Sequence, residues 1–196
     1  MKWFLLLALL AGQAQAYDHT VDNEREQRIL NLWDAASLPG HCLLIEAAES
    51  SCDESISTLD PEDCYKHLNL TDHGFNQVSR YYRTLHRHAF KRAIVYASQW
   101  CAAIETAARL GLGYVHAHPM LDLQDHNSAD ALQTQALRAW LLEQDVNQPL
   151  VLVTHRANII NLSDITPEKE EAVLMGIDDR GYLTTLGTMP LSELAQ

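Results

Sequence analysis

The chain has 196 residues and a formal net charge of −12, from 14 Lys and Arg against 26 Asp and Glu. Nucleic acids and anionic membrane surfaces repel an acidic chain of this kind. We therefore expect neither as a partner of the mature protein. A chain of this length is long enough to bury one hydrophobic core without the help of disulfides.

The first sixteen residues have the pattern of a secretory signal peptide. Lys2 supplies a positive charge, and the apolar run from Trp3 to Ala11 is too short to span a bilayer. Ala14-Gln15-Ala16 then provides the small residues that a signal peptidase recognises. We predict cleavage before Tyr17, which leaves a single domain over 17–196 in the periplasm or outside the cell. The alternative is an uncleaved N-terminal anchor.

All four cysteines lie in the predicted mature chain, at Cys42, Cys52, Cys64 and Cys101. An even number of cysteines in an oxidising compartment indicates one or two disulfides, and four cysteines allow three pairings. Cys52 and Cys64 flank a loop rich in Ser, Asp and Pro, so this pair is our first choice. The spacings do not match a zinc knuckle.

Apolar periodicity and turn residues predict strands and helices in alternation. This order is typical of a three-layer α/β/α fold, with a mainly parallel sheet and helices on both faces. Ligands bind such sheets at the carboxyl ends of the strands. The predicted helices are 23–36, 71–88 (with Thr71 as N-cap), 100–110, 128–144 and 157–162, and the predicted strands are 41–47, 93–97, 114–121, 150–154, 171–178 and 182–188.

Three segments carry short motifs in a fixed order. Residues 63–74 read D-C-x-x-H-L-N-L-T-x-x-G, residues 98–107 read S-x-x-C-A-x-x-E-T-A, and residues 153–159 read V-T-H-x-x-N-I. They resemble the motifs D-C-x-x-Q-R-N-L-S-x-x-G, S-x-x-C-R-x-x-E-T-A and V-T-H-x-x-N-I of the histidine phosphatase (phosphoglycerate-mutase-like) superfamily. The resemblance runs from about Leu38 to the C-terminus, and it implies that superfamily's fold with a phosphoryl-transfer site at the strand ends.

The chain departs from that pattern at four positions. Members of the superfamily carry L-L-x-R-H-A-E at the end of the first strand, where this chain has L-L-I-E-A-A-E. Glu46 thus stands in the place of an arginine, and Ala47 in the place of the nucleophilic histidine. The arginines of the two other motifs fall on Ala102 and Leu68. The second catalytic histidine is retained as His155.

These departures bear directly on the chemistry that the resemblance implies. In the superfamily a histidine attacks phosphorus, while arginines hold the transferring oxygens. Ala47 has no nucleophilic atom, and a carboxylate about 4 Å from a phosphate oxygen costs roughly 4 kcal/mol at an effective dielectric constant of about 20. The sequence therefore predicts an inactive pseudophosphatase without a cofactor, which binds an unknown small molecule or protein.

Other polar side chains remain candidates at the same site. Asn69, Ser98 and His67 are candidate ligand-binding residues, and we expect Glu46 to approach His155. That pair would be a stabilising ion pair, a general acid–base pair or two ligands of a metal. The main alternative to the pseudophosphatase is an active phosphatase or hydrolase with an altered site around His155, Glu46 and His67.

A second, weaker candidate site lies in the predicted strand 114–121. His116, His118 and Met120 would share one face of that strand, and these side chains suit copper or zinc. The alternative is an ordinary exposed strand face. A periplasmic metal-binding protein is therefore a third hypothesis for function.

Overall fold

The computed structural model describes residues 23–51, 70–123, 129–144, 147–178 and 180–192. The predicted signal peptide and the candidates His67, Leu68 and Asn69 lie outside these ranges. The helices are α1 (23–36), α2 (Asp72–Arg87), α3 (Cys101–Arg109), α4 (Ala129–Leu142) and α5 (Arg156–Ser163). The strands are β1 (His41–Glu46), β2 (Ile94–Ala97), β3 (Val115–Ala117), β4 (Leu150–Thr154), β5 (Glu171–Ile177) and β6 (Leu183–Pro190), and a 3₁₀ helix spans Pro119–Leu121.

The strands form one sheet in the order β3-β2-β4-β1-β5-β6. The first four of these strands are parallel to one another. β5 runs antiparallel to β1, and β6 runs antiparallel to β5, so β6 has the same direction as the first four strands. This arrangement confirms the predicted α/β fold with a mainly parallel sheet. Among the described residues, none of the helices combines the length and the apolarity that crossing a membrane requires.

Alternation along β1 divides the core between the two faces of the sheet. Leu43 and Ile45 point to the face covered by α1, α2 and α3, while Cys42 and Leu44 point to the face covered by α4 and α5. All five residues of β4 are buried, because this strand lies in the sheet interior with helices on both sides. The predicted three-layer architecture is therefore observed.

The predicted strand 114–121 is wrong over its second half. The strand ends at Ala117, and Pro119 begins the 3₁₀ helix. Proline has no backbone N–H for a strand ladder, and its fixed φ suits the first position of a helical turn. His118 caps this turn by accepting a hydrogen bond from the backbone N–H of Met120. His116, His118 and Met120 consequently do not share one strand face.

One cysteine can be removed from the disulfide predictions. Cys42 is a free thiol in the core, 4% exposed, and burial raises its pKa far above the usual value. Cys52 and Cys64 lie outside the described residues, so the pairing among Cys52, Cys64 and Cys101 stays a prediction.

The loop that follows β1 is fixed by contacts with α2 and α3. The buried hydroxyl of Thr106 accepts a hydrogen bond from the backbone N–H of Ala48 at 3.0 Å. Glu49 donates its N–H to Gln77 and accepts at its backbone oxygen from the N–H of Thr71. Gly74 lies so close that a Cβ atom there would stand 2.0 Å from the Glu49 backbone oxygen. The residues after β1 therefore have little freedom to move.

We predict that Gly74→Ala destabilises the protein by about 1–3 kcal/mol, because the loop must shift to admit the new methyl group. Helix propensity alone would favour Ala over Gly by about 1 kcal/mol. A loss of stability would therefore show that Gly74 lies close to the Glu49 backbone. Urea unfolding would measure the change. Asn76→Ala, at an exposed position of the same helix, serves as the control and should be close to neutral. A more stable Gly74→Ala variant would contradict the described loop position.

Candidate functional site

The site lies where β1 and β4 end side by side. In the parallel register Glu46 is opposite Thr154, and the N–H of Ala47 donates to the Thr154 backbone oxygen at 2.9 Å. His155 follows Thr154 directly and occupies the N-cap position of α5, without a capping hydrogen bond from its side chain. Ala47 and His155 are therefore neighbours at the carboxyl edge of the sheet, as the motif alignment requires.

A buried serine connects His155 to a carboxylate. The hydroxyl of Ser98, which is 0% exposed, donates to Asp122 Oδ1 at 2.8 Å because an ionised carboxylate can only accept. Ser98 Oγ also accepts from the N–H of Trp100 at 3.2 Å and lies 3.1 Å from His155 Nε2. The Trp100 ring also meets the imidazole edge to face, with 4.8 Å between ring centroids. His155 is thus oriented from two sides.

This network selects the tautomer of His155. Since the Ser98 proton is directed to Asp122, the short contact with His155 needs a proton on Nε2. In the neutral imidazole the lone pair then resides on Nδ1. The arrangement differs from a Ser-His-Asp triad, in which histidine lies between the serine and the carboxylate and activates the hydroxyl. Ser98 here orients a histidine and is not an activated nucleophile.

Asn158 holds the segment that carries Asp122. Its amide nitrogen donates to the backbone oxygen of Leu121 at 2.9 Å and to Thr154 Oγ1 at 2.9 Å. Thr154 Oγ1 in turn donates to the same Leu121 oxygen at 2.6 Å. The retained Thr and Asn of the V-T-H-x-x-N-I motif thereby connect β4 and α5 to the residues after β3.

The ion partner of Glu46 is Arg156, the residue after His155. Nη1 of Arg156 lies 3.2 Å from Glu46 Oε2, and Nη2 also donates to the backbone oxygen of Pro167. Both charged side chains are more than one third exposed, so the pair contributes little to stability. The expected pairing of Glu46 with His155 is thus replaced by a pairing with its neighbour, which offsets the negative charge of Glu46.

Two further carboxylates at this end of the sheet also have basic partners. Arg80 binds both oxygens of Glu170 and lowers the pKa of that carboxyl group. Glu49 accepts from the hydroxyl of Thr71 at 2.8 Å and lies 3.3 Å from His73 Nδ1. Arg156 and Arg80 therefore offset the negative charges of Glu46 and Glu170 near the strand ends.

Ala102 lies in the first turn of α3, half-buried and packed against the core cluster beneath the helix. Its side chain carries no charge into the space beside Ser98 and His155. Of the predicted site residues, the structure thus brings Glu46, Ala47, Ser98 and His155 together at one edge of the sheet.

The geometry is unfavourable for a metal at His116 and His118. Nδ1 of His118 accepts from the backbone N–H of Met120 at 3.2 Å, so the neutral ring carries its proton on Nε2 and its lone pair is already used. Both imidazoles pack against Tyr96, with ring centroids 5.3 and 6.1 Å away. Over the ranges that the structure describes, no group of three or more His, Cys, Asp or Glu side chains could hold a metal.

Comparison with known proteins identifies the fold. No family model and no curated protein matches the chain. The protein histidine phosphatase SixA, complexed with tungstate, matches with a TM-score of 0.55 at 16% identity, over 77% of this chain and 97% of that one. The chain has the histidine phosphatase fold.

Two further solved structures with this fold match the chain. One is a phosphoserine phosphatase from Entamoeba histolytica, a variant with one histidine changed to alanine, in complex with phosphoserine. It gives a TM-score of 0.58 at 15% identity, over 79% of this chain and 99% of that one. The other is a mycobacterial glucosyl-3-phosphoglycerate phosphatase, with a TM-score of 0.51 at 14% identity, over 79% and 99%.

Three residues of the site around His155 and Glu46 were not predicted from the sequence. These are Trp100, which packs on His155, Arg156, which pairs with Glu46, and Asp122, which accepts from Ser98. Asp122 could have been predicted, because it lies shortly after the carboxyl end of β3, another strand of the parallel part of the sheet.

We predict that Ser98→Ala removes the constraint that selects one tautomer of His155. In the unmodified protein the ring ¹⁵N shifts, measured above the pH at which the imidazole is protonated, should report a proton on Nε2. Ser98→Ala removes the acceptor and should give a mixture of tautomers. Ser79→Ala, an exposed serine on α2, is the matched control and should change nothing at His155. A dominant Nδ1–H tautomer in the unmodified protein would contradict the described network.

Proposed function

We propose that this chain is an exported pseudophosphatase of the histidine phosphatase superfamily, which binds a ligand at the strand ends without hydrolysing it. The motif order along the sequence and the fold support membership of that superfamily. The phosphatase activities belong to the solved neighbours. The proposal for this chain rests on the catalytic groups that its own residues supply.

The observation that carries the proposal is the position of Ala47. Its backbone is held by Thr154, beside His155, at the point where the alignment expects the nucleophilic histidine. A methyl group cannot attack phosphorus, so no covalent phosphoenzyme can form through this residue. His155 lies beside it with its orientation fixed by Ser98 and Trp100.

The missing arginines support the same conclusion. Ala102 supplies no guanidinium, and Glu46 stands where another is expected. Arg156 lies nearby, but its guanidinium is already directed to the Glu46 carboxylate and to the Pro167 backbone oxygen. Stabilising a transferring phosphoryl group requires several donors aimed at its oxygens. The described side chains near His155 do not offer such a set.

Binding without hydrolysis is consistent with one of the structural neighbours. The Entamoeba histolytica phosphoserine phosphatase is in complex with phosphoserine although one of its histidines has been changed to alanine. A protein of this fold can therefore hold a ligand after such a substitution. In this chain Glu46 and the uncharged side chain of Ala102 favour a neutral or cationic ligand over a phosphate.

Export remains part of the proposal and rests on the sequence of the first sixteen residues. A disulfide among Cys52, Cys64 and Cys101 would fit an oxidising compartment. The intact mass of protein recovered from the periplasm or the medium tests both statements. Export predicts a chain that begins at Tyr17, and a full-length chain confined to the cytosol would contradict it.

A second candidate function is an active hydrolase that uses His155 itself. The network of Ser98 and Asp122 favours this alternative, because it holds the imidazole of His155 in one orientation, as a general base requires. Catalysis would then need no residue at position 47. This function and the proposed one make opposite predictions for turnover.

We predict no turnover of p-nitrophenyl phosphate or phosphoserine above the uncatalysed rate. The measurement is phosphate release by the purified mature chain, with His155→Ala prepared in parallel. Equal background rates for both proteins would support a pseudophosphatase. Turnover by the unmodified chain that His155→Ala abolishes would overturn the proposal and favour the active hydrolase.

A further inference from the structure

One stretch of this acidic chain is basic. Residues 73–121 contain six Lys or Arg and a single acidic residue, Glu105, although the chain as a whole has a net charge of −12. These residues form α2, β2, α3, β3 and the segments between them. The six cations are Arg80, Arg83, Arg87, Lys91, Arg92 and Arg109.

Two of these arginines line a groove on the outer side of α2 and α3. The groove has a volume of about 360 Å³ and is lined by Phe75, Val78, Ser79, Tyr82, Arg83 and Arg109. This volume lies within the range of pockets that bind small molecules. The groove shares no residue with the site around His155. We refer to it as the α2–α3 groove.

The guanidinium of Arg109 is held in place before any ligand arrives. Its Cζ lies 4.4 Å from the centroid of the Phe75 ring, so the cation is stacked on the aromatic face. Nε and Nη2 both donate to the same oxygen of Glu105, at 3.1 and 2.9 Å, which leaves the N–H groups of Nη1 for a ligand. A fixed guanidinium loses little side-chain entropy when it binds an anion.

Tyr82 supplies an aromatic surface beside the arginines. Its ring is 43% exposed and packs against His86 at 4.1 Å between centroids. Gly111, which follows α3 with a φ of 67°, approaches this ring so closely that a Cβ there would lie 3.2 Å from Tyr82 Cε2. The glycine that ends α3 therefore also makes room for the tyrosine. Arg83 is exposed next to it on α2.

We propose that the α2–α3 groove binds a small organic anion that carries an aromatic ring. Arg83 and Arg109 would bind the carboxylate, phosphonate or phosphate, and Tyr82 would contact the ring. Long polyanions fit less well, because the strongly acidic remainder of the chain repels a ligand in proportion to its charge. The proposal is independent of whether the site at His155 is active.

Titration with phenylphosphonate, which cannot be hydrolysed as an ester, tests the proposal by calorimetry and by ¹H–¹⁵N NMR. We expect saturable binding, with shift changes confined to α2 and the end of α3. Arg83→Gln and Arg109→Gln should each weaken binding about tenfold, the loss of one charge-assisted hydrogen bond. Arg180→Gln, an exposed arginine in the turn between β5 and β6, makes the same change of charge elsewhere and should leave the affinity within about twofold.

Further probes separate the parts of the ligand. Methylphosphonate should bind more weakly than phenylphosphonate, and benzyl alcohol should not bind measurably. Far-UV circular dichroism of each variant shows whether it is folded. The proposal would be overturned by a lack of saturation in the millimolar range, by unchanged affinity in both groove variants, or by shift changes centred on Ser98 and His155. Binding of a Glu-Tyr repeat peptide without any binding of phenylphosphonate would also overturn it, in favour of a peptide-docking surface.

Discussion

The parallel pairing of β1 with β4 determines what this protein can do. Both strands lie inside the sheet and are covered on both faces, so a shift of register would move every apolar side chain to the wrong side. The register that results places Glu46 opposite Thr154 and Ala47 beside His155. The residue types at the strand ends are therefore the variable part of the site, while their positions are set by the core.

The polar side chains around His155 satisfy one another's hydrogen bonds. Ser98, Asp122, Asn158 and Thr154 satisfy one another in a region that is largely buried, where an unpaired polar group would cost about 1–3 kcal/mol. Such a network stabilises the fold whether or not His155 reacts. The position of His155 is consequently compatible with either a binding protein or an enzyme.

The sequence predicted the fold well because periodicity records burial. The run of five buried residues in β4 is visible as a pattern, and so is the cap at Thr71. The face of α2 was predicted in part, since Val78 and Leu85 are buried while Tyr82 is exposed. The contacts of Asp122 with Ser98 and of Arg156 with Glu46 join residues 24 and 110 positions apart. Which partner each side chain contacts depends on tertiary packing, so the pairing of Glu46 with Arg156 could not be predicted from the sequence.

Binding of tungstate is the most direct test of the proposal that this chain keeps the geometry of a phosphoryl-transfer site without its chemistry. Tungstate is a tetrahedral oxyanion, and a solved protein with this fold, SixA, is in complex with it. Calorimetry should detect no binding in the micromolar range by the unmodified chain, and new binding after Glu46→Arg, Ala47→His, Leu68→Arg and Ala102→Arg are combined. Micromolar binding by the unmodified chain would contradict the account.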